Sequence, residues 1–341
     1  MKKVTILDIA NELKLCRNTV AKALNDGPVA YETRMEVVQK AHEMGYSKLR
    51  QELIEEFIYK EQEGNKGVIL VLFTLAESKF WNELLAGVSD EINDNRYRMQ
   101  LYIVNQSDYC SGEETLKLIE PDVKGIILLC GFPDKFVKGI SKANLPITFF
   151  NAPVEVKECL RYGNVVSLEA CYAVGKLVEK VIQEGKKQFG FIGYSEGSAN
   201  IDERLQGMLQ MLRKYKIEAD QRLLFTRYRE DCYFNYKVVE EVIQEMPYIP
   251  EVIVCANDDI AKYVATALMK RSMDLAIRTT LIGFDNTIEG EFFKQDILTV
   301  EVRKEEVGRR IVRTTIEQIE HPQLDHVINT VATYPILKTD K

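Results

Sequence analysis

Apolar positions recur at helical spacing three times in the first fifty residues. Ile6, Ile9, Ala10 and Leu13 form the first run, Val20, Ala21 and Leu24 the second, and Met35, Val38 and Ala41 the third. Thr5 stands where an N-cap belongs, with Asp8 in the first turn. Lys14-Leu15-Cys16 breaks the first run, Asn25-Asp26-Gly27-Pro28 stops the second, and Gly45 ends the third. The spacing predicts helices from Thr5 to Leu13, from Arg17 to Leu24 and from about Glu32 to Met44. Two short helices joined by a tight turn, with a third behind them, make the helix-turn-helix plan, in which the second helix enters the major groove. Leu49, Leu53, Ile54, Phe57 and Ile58 then share one face of a further helix.

From Gly67 the pattern changes to short apolar runs alternating with amphipathic stretches. Strands are expected at 67–73, 99–104, 125–130, 147–150, 189–193, 223–226, 252–255 and 279–283. Helices are expected at 81–93, 113–119, 136–143, 169–184, 203–215, 235–246 and 258–270. Such alternation builds parallel sheets covered on both faces, and so many units exceed one core, which predicts two α/β lobes. Ligands of open α/β sheets bind beyond the carboxyl ends of the strands, here the cleft between the lobes. The expected organisation is a three-helix head over 1–48, a linker or hinge helix over 49–65 and a two-lobed body over 66–341. Lobe 1 is expected to take about 66–163 and 294–323, and lobe 2 about 164–293 and 324–341.

Composition narrows the function. With 341 residues, 46% hydrophobic and 28% charged, the chain reads as an ordinary globular protein of two or three domains. Its apolar runs are too short to span a bilayer, and MKKVTILDIANELK lacks the apolar core of a signal peptide. The seven scattered cysteines form no CxxC pair, which fits a reducing cytoplasm and argues against zinc. The net charge of −7 excludes a globally basic coat, yet residues 1–48 carry eight Lys/Arg against six Asp/Glu. Residues 49–63 reverse this, with five Glu against two Lys/Arg. No phosphate-loop, nucleophile-elbow, zinc-protease or dinucleotide motif is present. The three histidines, 42, 321 and 326, sit in no catalytic setting. The expectation is a protein that is not an enzyme and needs no metal or cofactor.

Arg17, Asn18 and Lys22 fall on the exposed face of the second helix. Arg and Lys suit guanine O6/N7, and Asn suits adenine N6/N7. Three polar residues on a short helix also fit a solvated bundle. Residues 4–26, VTILDIANELKLCRNTVAKALND, followed by Thr33-Arg34, Val37 and Gly45-Tyr46, resemble the DNA-binding head of the lactose-repressor family of bacterial transcription regulators. That resemblance makes Arg17, Asn18 and Lys22 base readers, and Thr5, Thr19, Asn25 and Thr33 phosphate-contacting or positioning residues. Lys14-Leu15-Cys16 replaces the family's usual Gly-Val-Ser, and Ala21-Lys22 its common Ser-Arg. In the family a hinge helix pushes a leucine into the minor groove, and the alignment puts Glu55 at that wedge position. A linker helix packed on its dimer mate is the expectation preferred here over insertion.

The body resembles the same family through Phe80-Trp81, EGKKQFGFIGYSEG (184–197), Glu203-Arg204 with Gly207, Cys255-Ala256-Asn257-Asp258, Ile282–Asn286 and Leu298-Thr299-Val300. It implies a periplasmic-binding-protein-like fold whose cleft is lined by Trp81, Asn151, Arg204, Asn257 and Asp285. Each has a plainer reading. Trp81 is in helical register with Leu84, Leu85 and Val88, Asn257-Asp258 is a good helix N-cap, and Asp285-Asn286 a good turn. Glu169 stands where the family commonly has aspartate, and Ser198 where some members have arginine. The resemblance implies a cytoplasmic, homodimeric, effector-controlled regulator. It would read a pseudo-palindromic site on double-stranded DNA and bind a small molecule, a sugar before a purine. The alternative is a cytoplasmic sugar-binding or sugar-metabolising protein with a helical interaction head.

Overall fold

A computed structural model describes residues 4–25, 27–54, 57, 65–74, 78–105, 107–109, 111–152, 155–227, 235–288 and 297–337. The chain divides into two compact units, one of residues 1–67 with 96–98 and one of residues 68–95 with 99–341.

The first unit contains α1 (Ile6–Leu13), α2 (Arg17–Leu24), α3 (Tyr31–Glu43) and α4 (Gln51–Ile54). Thr5 and Asp8 close a capping box on α1. The Asp8 N–H donates to Thr5 Oγ1 at 3.3 Å, and the Thr5 N–H donates to Asp8 Oδ2 at 2.8 Å. Lys14 ends α1 in the left-handed region at φ 55°, where a side chain is strained and glycine is not. Cys16 caps α2, accepting from the Thr19 N–H at 3.4 Å. The three predicted helices stand within about a residue of their expected ends.

The amphipathic run after them does something the sequence reading did not foresee. Leu53 and Phe57 are 2% and 3% exposed, in one cluster with Ile9, Val20, Leu24, Val37, Val38 and Ala41. Leu49 and Ile54 pack against that cluster, and the Phe57 ring lies 5.3 Å from that of Tyr31. The expected docking on a dimer mate is therefore corrected for Leu53 and Phe57: their face completes the core of their own head. Burying each contributes about 1.5–3 kcal/mol. Glu55 and Ile58 lie outside the described residues.

In the body, a six-stranded sheet has the order β11-β5-β4-β3-β1-β2. Its strands are β1 (Val68–Phe73), β2 (Arg98–Ile103), β3 (Val123–Leu129), β4 (Ile147–Phe150), β5 (Asn164–Leu168) and β11 (Ile328–Val331). A four-stranded parallel sheet, β7-β6-β8-β9, holds β6 (Phe189–Ile192), β7 (Leu224–Phe225), β8 (Val252–Cys255) and β9 (Thr280–Ile282). All six residues of β1 are buried, as expected of a strand covered on both faces. The long helices are α5 (Lys79–Asp94), α9 (Cys171–Gln183), α10 (Ala199–Lys214), α12 (Asp258–Arg271) and α14 (Lys304–Glu320), with shorter α6 (Glu113–Lys117), α7 (Asp134–Ile140), α8 (Val156–Cys159), α11 (Tyr236–Glu245) and α13 (Met273–Arg278) between them. α5 and α14 meet at two glycines: a Cβ on Gly87 would collide with the Glu305 carbonyl, and one on Gly308 with that of Leu84.

The sheets correct the expected lobe boundaries. β5 and β11 both belong to the first sheet and pair with each other, Val165 opposite Ile328 and Leu168 opposite Val331. Residues 164–168 and 328–331 were expected in lobe 2. Conversely, Leu298 bridges Ile282 and Glu301 bridges Asp285 on the second sheet's side, where lobe 1 was expected. The chain thus changes sheets after β5, between 285 and 303, and again between β11 and β12 (Tyr334–Pro335), which pairs with β10 (Val300–Glu301). Two crossings are tied directly: the Glu169 N–H donates to Val331 O at 2.8 Å, and Thr333 Oγ1 donates to Glu169 O at 2.6 Å.

Candidate recognition helix and interlobe cleft

α2 is held from below by Val20, Ala23 and Leu24, which are buried. That leaves Arg17, Asn18 and Lys22 exposed on its outer side. Thr19 is half-buried, with its Oγ1 2.9 Å from Cys16 Sγ. Hydrogen bonds from Thr19 hold the Cys16 thiol below its ordinary pKa. Asn25 closes α2, its Nδ2 donating to Ala21 O at 2.9 Å. Thr33 lies half-buried in the first turn of α3, and exposed Thr5 is engaged in its capping box. Each head residue singled out by sequence is therefore at a helix start, a helix end or on the open face of α2.

In the body, the singled-out residues sit at carboxyl ends of parallel strands or on the helices that follow. Trp81, in the first turn of α5, has ring centroids 5.1 Å from Phe73, 5.2 Å from Phe80 and 6.0 Å from Phe150. It is half-buried, so its plainer reading as core is met in part. Asn151 follows β4 with φ 60°, and its Oδ1 accepts from Ser198 Oγ at 2.6 Å. The Ala199 N–H donates to Ala152 O at 3.2 Å. These two bonds bring the carboxyl end of β4 against the start of α10, one lobe against the other.

Arg204, on α10, is 6% exposed. Its guanidinium lies 3.8 Å over the Phe284 ring, donates through Nη1 to Ala256 O and stands 3.9 Å from Asp285 Oδ1. Asn257 caps α12, accepting from the Ile260 N–H at 2.9 Å. Arg204 and Asp285 are brought together, whereas the Asn257 side-chain oxygen is spent on its helix.

Asp285 has φ 100°, and Cys130, after β3, has φ 101°. With Asn151, three non-glycine residues at strand ends hold left-handed backbone. Such strain collects where a site over-determines its backbone.

Sequence reasoning missed the carboxylate beneath this floor. Asp258, at the start of α12, is fully buried. Its Oδ1 accepts from Thr299 Oγ1 at 2.7 Å and its Oδ2 from the Thr287 N–H at 2.7 Å. It thereby ties α12 to the turn after β9 and to the crossing strand. Gly283 leaves it room, since a Cβ there would strike Asp258 Oδ1. Burial, aided by repulsion from Asp285, pushes the Asp258 carboxyl up to about 7. Burial pushes Asp285 up to about 6, against the pull of Arg204 and Lys304. Lys304, 5% exposed, pairs with Glu83 at 3.2 Å. The sequence signal for Asp258 was its place after Asn257, which reads equally well as capping. Glu169, the departure from aspartate, accepts from the Tyr172 and Ala173 N–H groups at the start of α9. Among the described residues no group of three or more His, Cys, Asp or Glu is placed to hold a metal, and no helix is long and apolar enough to cross a membrane.

A helix-turn-helix head followed by two parallel α/β lobes facing across strand ends defines a class, the DNA-binding regulators with a periplasmic-binding-protein-like body. The family model for the periplasmic binding protein-like domain matches residues 178–336. The HTH-type transcriptional repressor PurR of Mannheimia succiniciproducens is 23% identical over 98% of this chain and 96% of its own. The transcriptional regulator CelR in its cellobiose complex superposes with TM-score 0.69, covering 98% of this chain and 99% of that one at 17% identity. The lac repressor dimer bound to operator and the anti-inducer ONPF superposes at 0.64, covering 98% of each chain at 15% identity. Over nearly its whole length the chain is similar to transcription regulators of the lactose-repressor family.

Proposed function

We propose that this chain is a cytoplasmic, homodimeric repressor. Its paired α2 helices read a pseudo-palindromic operator on double-stranded DNA, and its interlobe cleft takes a small neutral effector, a sugar in preference to a purine. Arg17, Asn18 and Lys22 would read bases, with Thr5, Thr19, Asn25 and Thr33 at phosphates. Trp81, Asn151, Arg204, Asn257 and Asp285 would line the cleft, Asn257 through its amide nitrogen since its oxygen caps α12.

The observation that carries the reading is the Arg204–Asp285 pair at the strand ends of one lobe, with the Trp81 aromatic cluster at the strand ends of the other. Arg204 is already matched by Asp285, Ala256 O and the Phe284 face, so the floor suits hydroxyls better than an anion. The cellobiose held by CelR supports a sugar. The effector acts through its differential affinity for the DNA-competent and DNA-incompetent states.

Trp81 is the chain's single tryptophan, so its emission is the assay. A panel of neutral mono- and disaccharides and of purine bases is titrated against wild type and Arg204→Met. One sugar should shift the emission, and the variant should weaken it about 10- to 100-fold, as for a lost charge-assisted hydrogen bond. A compound that releases DNA in a gel shift yet leaves Trp81 emission and Arg204→Met binding unchanged would sink the cleft assignment.

A further inference from the structure

We infer that the joint's apolar residues Leu49, Leu53 and Phe57 are a structural layer of the head and stay docked there when the protein binds DNA, so each head reads the duplex without a wedge from the joint. The inference rests on the DNA-reading head proposed above and adds where that head's working surface ends.

Three observations carry it. Gly45, at φ 71°, turns the chain back after α3, and the Leu49 N–H bonds Tyr46 O at 3.1 Å, so the joint begins folded against the helix it leaves. Leu53 and Phe57, both almost fully buried, then enter the cluster that holds α1, α2 and α3 together. Finally, the joint's outward side shows Gln51 and Glu52, with the Glu52 side chain 82% exposed.

An apolar side chain inserted between base steps must be free of other contacts. Here the apolar side chains of the described joint are the ones that close the head core, and the two uses exclude each other. Undocking would open the core that positions α2. It would also carry a segment with five Glu and two Lys/Arg over residues 49–63 toward the phosphates. Both terms favour the docked joint, and DNA contact is left to the side of the head that presents Arg17, Asn18 and Lys22.

The test uses the full chain and a duplex selected by it from random sequence. The centre of the duplex carries 2-aminopurine, whose emission rises when its step is unstacked. Wild type should bind with little change in that emission and little bend in a circular-permutation gel. Hydrogen exchange at Val37–Ala41 of free protein should speed about thirtyfold or more in Leu53→Ala, the effect of opening a core by a Leu truncation. A severalfold rise in 2-aminopurine emission with wild type overturns the inference, whatever the variant does. So does unchanged exchange in Leu53→Ala. Failure to enrich any duplex would bring down the DNA-reading head itself, and is told apart because binding never appears.

Discussion

Replacing Asp258 by asparagine should change how the body's stability depends on pH. Both buried carboxyls, Asp258 at about 7 and Asp285 at about 6, ionise later than in an unfolded chain. Between their unfolded and folded values the native state holds more protons than the unfolded one, so stability falls as pH rises through this window. From pH 5 to pH 8, Asp258 contributes roughly two units of that fall and Asp285 roughly one, about 4 kcal/mol together. Carboxylates held below their ordinary range, such as Glu91 beside Arg313 and Asp108 under Thr115, act in the opposite sense. Their contribution is lost only as the medium becomes more acid than this window.

An asparagine in place of Asp258 would imitate the protonated acid. Its amide oxygen accepts from the Thr287 N–H, and its NH2 donates to Thr299 Oγ1, a hydroxyl able to accept. The Asp258→Asn variant should therefore be more stable than wild type at pH 8 by about 2–3 kcal/mol, and no more stable at pH 5. Urea melts of the full chain followed by Trp81 emission read this. With a slope of about 3 kcal/mol/M, the wild-type midpoint should move by about 1 M between pH 5 and pH 8. The midpoint of the Asp258→Asn variant should move by a quarter to a third of that. Wild-type stability that is flat or rises from pH 5 to pH 8 would refute the reasoning, as would an Asp258→Asn variant with the wild-type slope.

Two further substitutions test the packing. Lys14→Gly relieves the left-handed residue that ends α1, and should slow hydrogen exchange in α1 and α2 by the equivalent of about 1 kcal/mol without a change of fold. Gly87→Ala pushes a methyl into the Glu305 carbonyl where α5 and α14 meet, and should lower the urea midpoint by the equivalent of about 1–3 kcal/mol.

The head was legible because each of its signals is local. Thr5 and Asp8 three residues apart close a box, Cys16 and Thr19 cap α2, and the Asn25–Pro28 turn admits no helix. The joint was legible as an amphipathic helix but not in its partner. Periodicity says that Leu53 and Phe57 share a face and is silent on which surface receives them. In the body, β1 and β8 are unbroken apolar runs and stand where expected. Past 283 the alternation fades, and α14 is not legible from it. Its buried face carries Thr314, Thr315 and Gln318 among the aliphatics. Thr315 Oγ1 donates to Thr148 Oγ1 at 2.8 Å, and Gln318 Oε1 accepts from Asn164 Nδ2 at 3.1 Å. Polar residues satisfied by one another inside a core look, in sequence, like a solvated face. β5 and β11 escaped for a related reason. NVVSL and INTV are short and polar-flanked, and only their mutual pairing makes them strands of one sheet.

The cleft residues show why a family motif and a structural role are not rivals. Asn257 caps α12, Arg204 spans Ala256 O and Phe284, and Asp258 ties the crossing strand to lobe 2. Groups fixed this firmly are what a binding floor needs, because a ligand then spends little free energy in ordering them. Asn151 and Ser198 differ in kind. Their bond, with that from the Ala199 N–H to Ala152 O, joins one lobe to the other beside strand ends held in left-handed backbone, and each such bond contributes only about 0.5–1.5 kcal/mol net. On the proposed function the firm residues would supply affinity, and these weaker bonds join the lobes that an effector would move. A population shift from mostly one lobe angle to mostly the other requires a differential affinity of several kcal/mol, about 5.5 for a complete switch. Two lobe-to-lobe hydrogen bonds are small beside that figure. On the proposed function, the decisive difference between the states would therefore lie in what the ligand bridges, with Arg204 and Asp285 on one side and the Trp81 cluster on the other.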